Sequence, residues 1–210
     1  MEFKVGPYKD LIHEMMEKTS PYGEGLEPIT EETRKEFKKA FSEIRIKFGS
    51  DIDAFFDANL NEAEDIVLDS LNTVISWKIL NGKPITKLES AITGLFAFEP
   101  EIYNGGFHQY FFNSASDHWK DLYDIIALSG DSVAEERFKA VFSIFGKEGP
   151  STDRGKRWNQ LQEIEKSNED QMWEHFDRHD SAFYDEPFPD IRKFFEFVRA
   201  NKNAIEIEMI

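Results

Sequence analysis

The chain lacks the residues and runs that several protein classes require. It has no cysteine among its 210 residues, which excludes disulfides, thiol nucleophiles and thiolate metal sites. It has no long apolar run: stretches such as LFAF at 95–98 are far shorter than the roughly 20 residues of a membrane-spanning helix. The N-terminus, MEFKVGPYKD, has no basic cluster followed by an apolar segment, so no secretory signal is predicted. We expect a cytoplasmic protein without membrane association.

Basic residues are also scarce. Lys and Arg number 25 against 41 Asp and Glu, which gives a net charge of −16. Such a charge opposes direct binding to nucleic acid or to an anionic membrane, and favours a basic protein partner. The alternative is that the acids form a solvated surface and only keep the protein soluble.

The negative charge is concentrated in two segments. Residues 51–77 hold seven acids and no Lys or Arg, and residues 163–190 hold ten acids against Lys166 and Arg178. These segments carry −7 and −8, nearly the whole net charge. We therefore predict a partner-binding acidic surface made of Asp53, Asp57, Glu64, Asp65, Asp69, Glu169, Asp170, Asp177, Asp180, Asp185 and Glu186.

The charge density of one segment is below that of DNA. A helix of about 27 residues is roughly 40 Å long, so seven acids give about one charge per ~6 Å. Duplex DNA carries about one charge per 1.7 Å of axis. Two acidic segments on one face, doubled in a homodimer, would approach that value.

Apolar spacing predicts an all-α fold. Residues 1–50 are predicted to form a helical N-terminal extension, and residues 51–205 an acidic all-helical domain. The acidic segment 51–80 is predicted as a single helix, because its apolar residues recur at three- and four-residue steps. Thr86 is predicted to cap a helix that runs to about Phe98, and Pro100 is predicted to prevent it from continuing. The apolar stripe of the first segment consists of Ile52, Phe56, Leu60, Ala63, Val67, Leu71 and Val74.

The stretch NGGFHQYFFNS at 104–114 combines a glycine pair with four aromatic residues. Placed on a helix that begins near Gly105 with Asn104 as its N-cap, its bulky side chains cover most of the circumference. Gln109 and Asn113 would then need buried partners, such as backbone groups of neighbouring turns. We interpret the motif as mainly structural; its residues are Asn104, Gly105, Gly106, Phe107, Gln109, Phe111 and Asn113.

Catalytic signals are weak. His175 and His179 are four residues apart and would share a helix face as a two-histidine metal site, but no third ligand is evident. His108 has no carboxylate placed by the sequence to orient it, and no nucleophile motif is present. We predict no catalytic residue, no metal and no cofactor, and keep a metal-dependent enzyme as the least favoured alternative.

The motif at 104–114, preceded by Glu99 and Glu101, resembles the signature of a bacterial family of acidic, all-helical DNA-mimic proteins. Residues 122–131 and 176–187 are similar as well, and the resemblance covers roughly residues 55–202. It implies a non-enzymatic, dimeric inhibitor whose carboxylates occupy the DNA-binding face of a helix-turn-helix transcription factor and so regulate transcription. An immunity or antitoxin-like protein that neutralises a basic nuclease is the alternative.

Overall fold

The computed structural model describes residues 35, 51–80 and 82–206. The predicted helical extension over residues 1–50 lies outside these residues, apart from Lys35 and its helical backbone. The described residues form eight α-helices and no strand, so the predicted all-α class is confirmed. The helices are α1 (Ile52–Ala58), α2 (Glu64–Leu80), α3 (Lys87–Phe112), α4 (Trp119–Leu128), α5 (Ser132–Phe142), α6 (Arg154–Ser167), α7 (Glu169–Asp185) and α8 (Ile191–Ala200). None of these is long and apolar enough to cross a membrane.

The chain divides into two compact units. The first comprises Met1–Ile85 with Lys202–Ile210, and the second comprises Thr86–Asn201. The two acidic segments therefore belong to different units. The predicted boundary after residue 50 adjoins residues outside the described part of the chain and stays a prediction.

In the first unit the predicted single helix over 51–80 is wrong, because residues 59–63 interrupt it. Asp51 begins α1 by accepting a hydrogen bond from the Ala54 N–H at 3.0 Å. Asn59 ends it, with its side-chain amide donating to the Phe55 carbonyl at 2.7 Å. This side chain satisfies a carbonyl that a continuing helix would have bonded through its backbone. Leu60, part of the predicted apolar stripe, lies in the interruption and is 56% exposed.

Basic residues join the C-terminal segment to the first unit. Lys78, which is buried on α2, donates a hydrogen bond to the Glu206 carbonyl at 3.2 Å. Lys202, in a short 3₁₀ helix, forms an ion pair with Asp53. One of the predicted partner-binding acids is thus already paired within the protein.

The long helix α3 organises the second unit. Thr86 caps it as predicted, and Glu89 returns a hydrogen bond to the Thr86 N–H in a reciprocal capping box. The predicted end at Pro100 is wrong, since the helix continues through the proline to Phe112. Its irregularity comes later: Gly105 and Gly106 have non-helical backbone angles, and Gly106 has φ = +73°. A positive φ of this kind is readily adopted only by glycine, which explains why the break falls there.

An aromatic core surrounds Phe98 of α3. Its ring centroid lies 5.1 Å from the rings of Tyr110 and Phe138, 5.6 Å from Phe183 and 5.8 Å from Phe188. These rings come from α3, α5, α7 and the segment before α8, and all are buried. Edge-to-face and tilted pairs of this kind contribute beyond their buried area. The core therefore ties the helices of the second unit to α3.

Arg157 of α6 is fully buried and binds the C-terminal end of α3. Its guanidinium donates to the carbonyls of Phe111 at 2.9 Å and Ser151 at 3.0 Å. It also donates to Asp117 Oδ1 at 2.6 Å. The last carbonyls of a helix lack intrahelical partners and carry partial negative charge, so a buried cation satisfies them.

We predict that Arg157→Lys destabilises the protein. A lysine ammonium cannot reproduce the planar fork that reaches two carbonyls and a carboxylate together, so the loss should be about 2–4 kcal/mol in the free energy of unfolding. Urea denaturation followed by circular dichroism measures it. The matched control is Lys156→Arg at the exposed neighbouring position. If both variants unfold at the urea concentration of the unmodified protein, the role of Arg157 is refuted.

Candidate partner-binding surface

The acids of the first unit differ in their availability. Asp57 on α1 and Asp65 at the start of α2 are exposed, whereas Glu64 and Asp69 are half-buried. Glu64 and Asp65 lie in the first turn of α2, where negative charge is favourable next to the unpaired N–H groups. Their position therefore also stabilises the helix.

The acids of the second unit concentrate on α7. This helix buries Met172, Phe176 and Phe183. Asp170, Glu174 and Asp177 are exposed, and their helical angles place them roughly opposite the buried residues. They follow one another at four- and three-residue steps, so three carboxylates lie along about 10 Å of helix axis. Glu169 and Asp185, the first and last residues of α7, are also exposed.

Two of the predicted surface acids of the second unit make internal contacts. Glu186 forms an ion pair with Arg137 of α5. Asp180 is half-buried and accepts a hydrogen bond from the Phe107 N–H at 2.8 Å. Burial raises the pKa of Asp180, and its hydrogen bond from Phe107 opposes that rise. Asp180 is turned toward α3, so we leave it out of the candidate surface.

The contact of Asp180 explains the glycine pair in the motif. Beyond Gly105 and Gly106 the helix restarts at Phe107, whose N–H has no helical partner. Asp180 supplies that partner from α7. The prediction that Asn104 caps a helix beginning near Gly105 is therefore wrong: both glycines separate Asn104 from the restart, and the cap comes from another helix.

The two amide side chains of the motif share one carboxylate. Gln109 Nε2 and Asn113 Nδ2 each donate to Glu101 Oε2 at 2.9 Å. Glu101 lies before the break in α3 and the two amides lie after it. The expected backbone partners are thus replaced by a side chain of the same helix, and the three residues bridge the break.

We predict that Gly106→Ala disrupts this junction. An added methyl group would lie 2.1 Å from Asp180 Oδ2, and the residue would have to keep its positive φ. The free energy of unfolding should fall by more than about 2 kcal/mol. Gly146→Ala is the control, since Gly146 has φ = +79° with nothing within 4 Å of the added group, and should cost about 1–2 kcal/mol. Equal thermal melting of the two variants would contradict the role of the contact.

The histidine pair of α7 is held by protein contacts. His175 Nε2 donates to the Val141 carbonyl at 2.9 Å, and its Nδ1 lies 3.4 Å from Arg178 Nη2. The same Arg178 nitrogen lies 3.5 Å from His179 Nε2. Both ring nitrogens of His175 are therefore engaged, and a cation stands beside both rings. The residues that the structure describes contain no group of three or more potential ligands placed to hold a metal.

Burial and nearby charge favour the neutral form of these histidines. Burial lowers the pKa of His179 to about 4, with further lowering by His175 and Arg178. Burial also lowers the pKa of His175. In the unfolded chain both would titrate near 6.5. The unfolded state therefore binds more protons below that pH, and stability is lost as the pH falls from about 6.5 toward 4.

We predict that His179→Gln weakens this acid sensitivity. Melting temperatures measured between pH 8 and pH 4 should fall less steeply for the variant than for the unmodified protein. At pH 8 the histidine is neutral in both states, so the difference there reports packing alone and serves as the internal control. Parallel curves over the whole range would show that His179 does not contribute.

Sequence reasoning missed two features of the second unit. Arg157 gave no signal, because the Phe111 carbonyl and the Asp117 carboxylate that it binds lie 46 and 40 residues away in the sequence. The exposed tryptophans are Trp158 at 40% and Trp173 at 39%. Trp158 did give a signal, since it is the one aromatic residue of the polar helix α6, whereas Trp173 lies next to Met172 and near Phe176 and so resembles a core residue.

The structure thus defines an acidic all-α protein whose second unit has an aromatic core and an acidic helix on its surface. The chain belongs to the family of DMP19-like proteins, whose model matches residues 83–201, more than half of the chain. The match coincides closely with the second unit and contains the motif at 104–114. It does not reach the acidic segment 51–77, so it is narrower than the resemblance expected over residues 55–202. No curated protein and no solved structure matches the chain.

Proposed function

We propose that the protein is a non-enzymatic DNA mimic. Its partner is a basic DNA-binding protein, such as a helix-turn-helix transcription factor, whose DNA binding it inhibits. The observation that carries this proposal is the row of exposed carboxylates Asp170, Glu174 and Asp177 on α7. The row lies inside the region matched by the family model, and family membership is consistent with a DNA-mimic role.

The chemistry of the row suits such a partner. Lysine and arginine residues that normally hold phosphates form charge-assisted hydrogen bonds with carboxylates as well. Within the described residues, no ion pair occupies Asp170, Glu174 or Asp177. Their charge is therefore available to a partner, and binding should weaken as salt screens it.

The first acidic segment, residues 51–77, contributes less than α7 to the proposed binding. It lies in the other unit and outside the matched region, and Asp53 is paired with Lys202. Asp57 and Asp65 remain as exposed charges that can add to the attraction. A homodimer would double both contributions.

The proposal predicts salt-sensitive capture of a DNA-binding protein. The immobilised protein should retain one from native lysate at low salt, release it in a salt step, and lose it to competing duplex DNA. Mass spectrometry identifies the captured protein. A nuclease would instead favour the immunity-protein alternative, and capture of no basic protein would refute the proposal.

Three triple variants, each with the same change in net charge, test where the partner binds. Asp170→Lys, Glu174→Lys and Asp177→Lys together should reduce the captured amount at least about tenfold, since three attractive contacts become repulsive. Asp57→Lys, Glu62→Lys and Asp65→Lys together should have a smaller effect. The control combines Glu99→Lys, Glu136→Lys and Glu148→Lys, which are exposed positions outside both acidic segments. Equal losses in all three would show that only net charge matters and would refute a specific surface.

A further inference from the structure

Exposed aromatic side chains form a patch on the second unit. Phe112 of α3, Trp158 of α6 and Trp173 of α7 are 37–40% exposed. The ring of Phe112 lies 6.5 Å from that of Trp158 and 6.4 Å from that of His108. The His108 ring in turn lies 4.6 Å from Trp173. These four residues, called the aromatic patch below, connect three helices across the surface.

Acidic side chains border the aromatic patch. Glu165 follows Trp158 by seven residues on α6 and so lies on the same side of that helix. It is close enough to His108 to raise the pKa of that histidine against the lowering by burial. Asp170 and Asp177 lie three residues before and four residues after Trp173 on α7, which places each next to it. All three acids are exposed.

Phosphate mimicry by itself requires carboxylates and gives no reason to expose tryptophan. Large exposed aromatic residues are characteristic of interface hot spots. A second copy of this chain is a poor occupant, because a two-fold contact would place each acidic border near its copy. A cation with a flat, weakly hydrated face suits both the exposed rings and the acids that border them, since it can stack on the rings while it pairs with the acids.

We propose that the aromatic patch binds arginine side chains of the basic partner, with one guanidinium stacked on Trp158 and another on Trp173, each paired with one of the carboxylates of Glu165, Asp170 and Asp177. This inference rests on the proposed function and assigns a preference within it. Lysine is attracted by the same carboxylates but presents a compact, strongly hydrated ammonium with no planar face. The patch therefore distinguishes arginine-rich from lysine-rich surfaces of equal charge.

Nona-arginine and nona-lysine peptides test the preference, because they share charge and length. Titration calorimetry on the full chain should give a dissociation constant at least about fivefold lower for nona-arginine, from two exposed stacking contacts. Raising the salt concentration should weaken nona-lysine binding more than nona-arginine binding. Equal affinities for the two peptides would overturn the proposal.

Variants of the patch separate stacking from charge. Trp158→Leu with Trp173→Leu keeps apolar bulk but removes the π faces, so the affinity for nona-arginine should drop to that for nona-lysine, which should not change. Trp158→Ala with Trp173→Ala should change the two affinities in the same way as the leucine variant does. Leu128→Ala with Val133→Ala, which are exposed elsewhere on the second unit, serves as the control and should keep the preference. Circular dichroism melts confirm that each variant is folded.

The outcomes also distinguish this inference from the function on which it rests. If both peptides bind with salt-sensitive, equal affinity, the patch proposal fails while an acidic binding surface stands. If neither binds, the patch proposal fails together with the electrostatic support for a basic partner. Sedimentation of the leucine variant provides a further check: dissociation of a dimer would show that a second copy covers the patch, and would overturn the proposal.

Discussion

The second unit depends on the hydrogen bond that satisfies the Phe107 N–H group at the break in α3. A helix that stops and restarts leaves an N–H group without an intrahelical partner, which is costly at a buried residue such as Phe107 unless a partner is supplied. Asp180 supplies it from α7, at 2.8 Å from the Phe107 nitrogen. The same rotation of α7 that brings Asp180 to Phe107 also buries Met172, Phe176 and Phe183. With Asp180 and Phe176 directed inward, helical periodicity turns Asp170, Glu174 and Asp177 outward. The internal hydrogen bond of the family domain and its external charge are thus two results of one helix orientation.

The buried charges of the second unit are satisfied mainly by the backbone. The fully buried Arg157 meets the carbonyls of Phe111 and Ser151 and only one carboxylate. Asp131, also buried, accepts hydrogen bonds from the N–H groups of Ala134 and Asp190. Because helix ends supply most of these partners, few surface acids are needed to compensate charge inside the protein. The acids of α7 can therefore remain on the surface without destabilising the core.

Local sequence rules predicted what depends on local interactions. The cap at Thr86 follows from residues within a few positions of one another, since Glu89 completes the capping box. The expected helix end at Pro100 does not occur, because tertiary packing keeps α3 helical through the proline. The bonds from Phe107 to Asp180 and from Arg157 to Phe111 could not be predicted, since each joins residues more than 40 positions apart.

Charge and stacking would contribute differently to recognition. Long-range attraction between opposite charges accelerates encounter with many basic proteins, but it discriminates poorly among them. Short-range contacts that require a flat cationic face discriminate by geometry, since a partner without a suitably placed guanidinium loses the contact entirely. The α7 carboxylates and the tryptophans of α6 and α7 belong to the same unit, so one surface can combine both effects. An acidic protein that relied on net charge alone would bind whichever basic protein was most abundant.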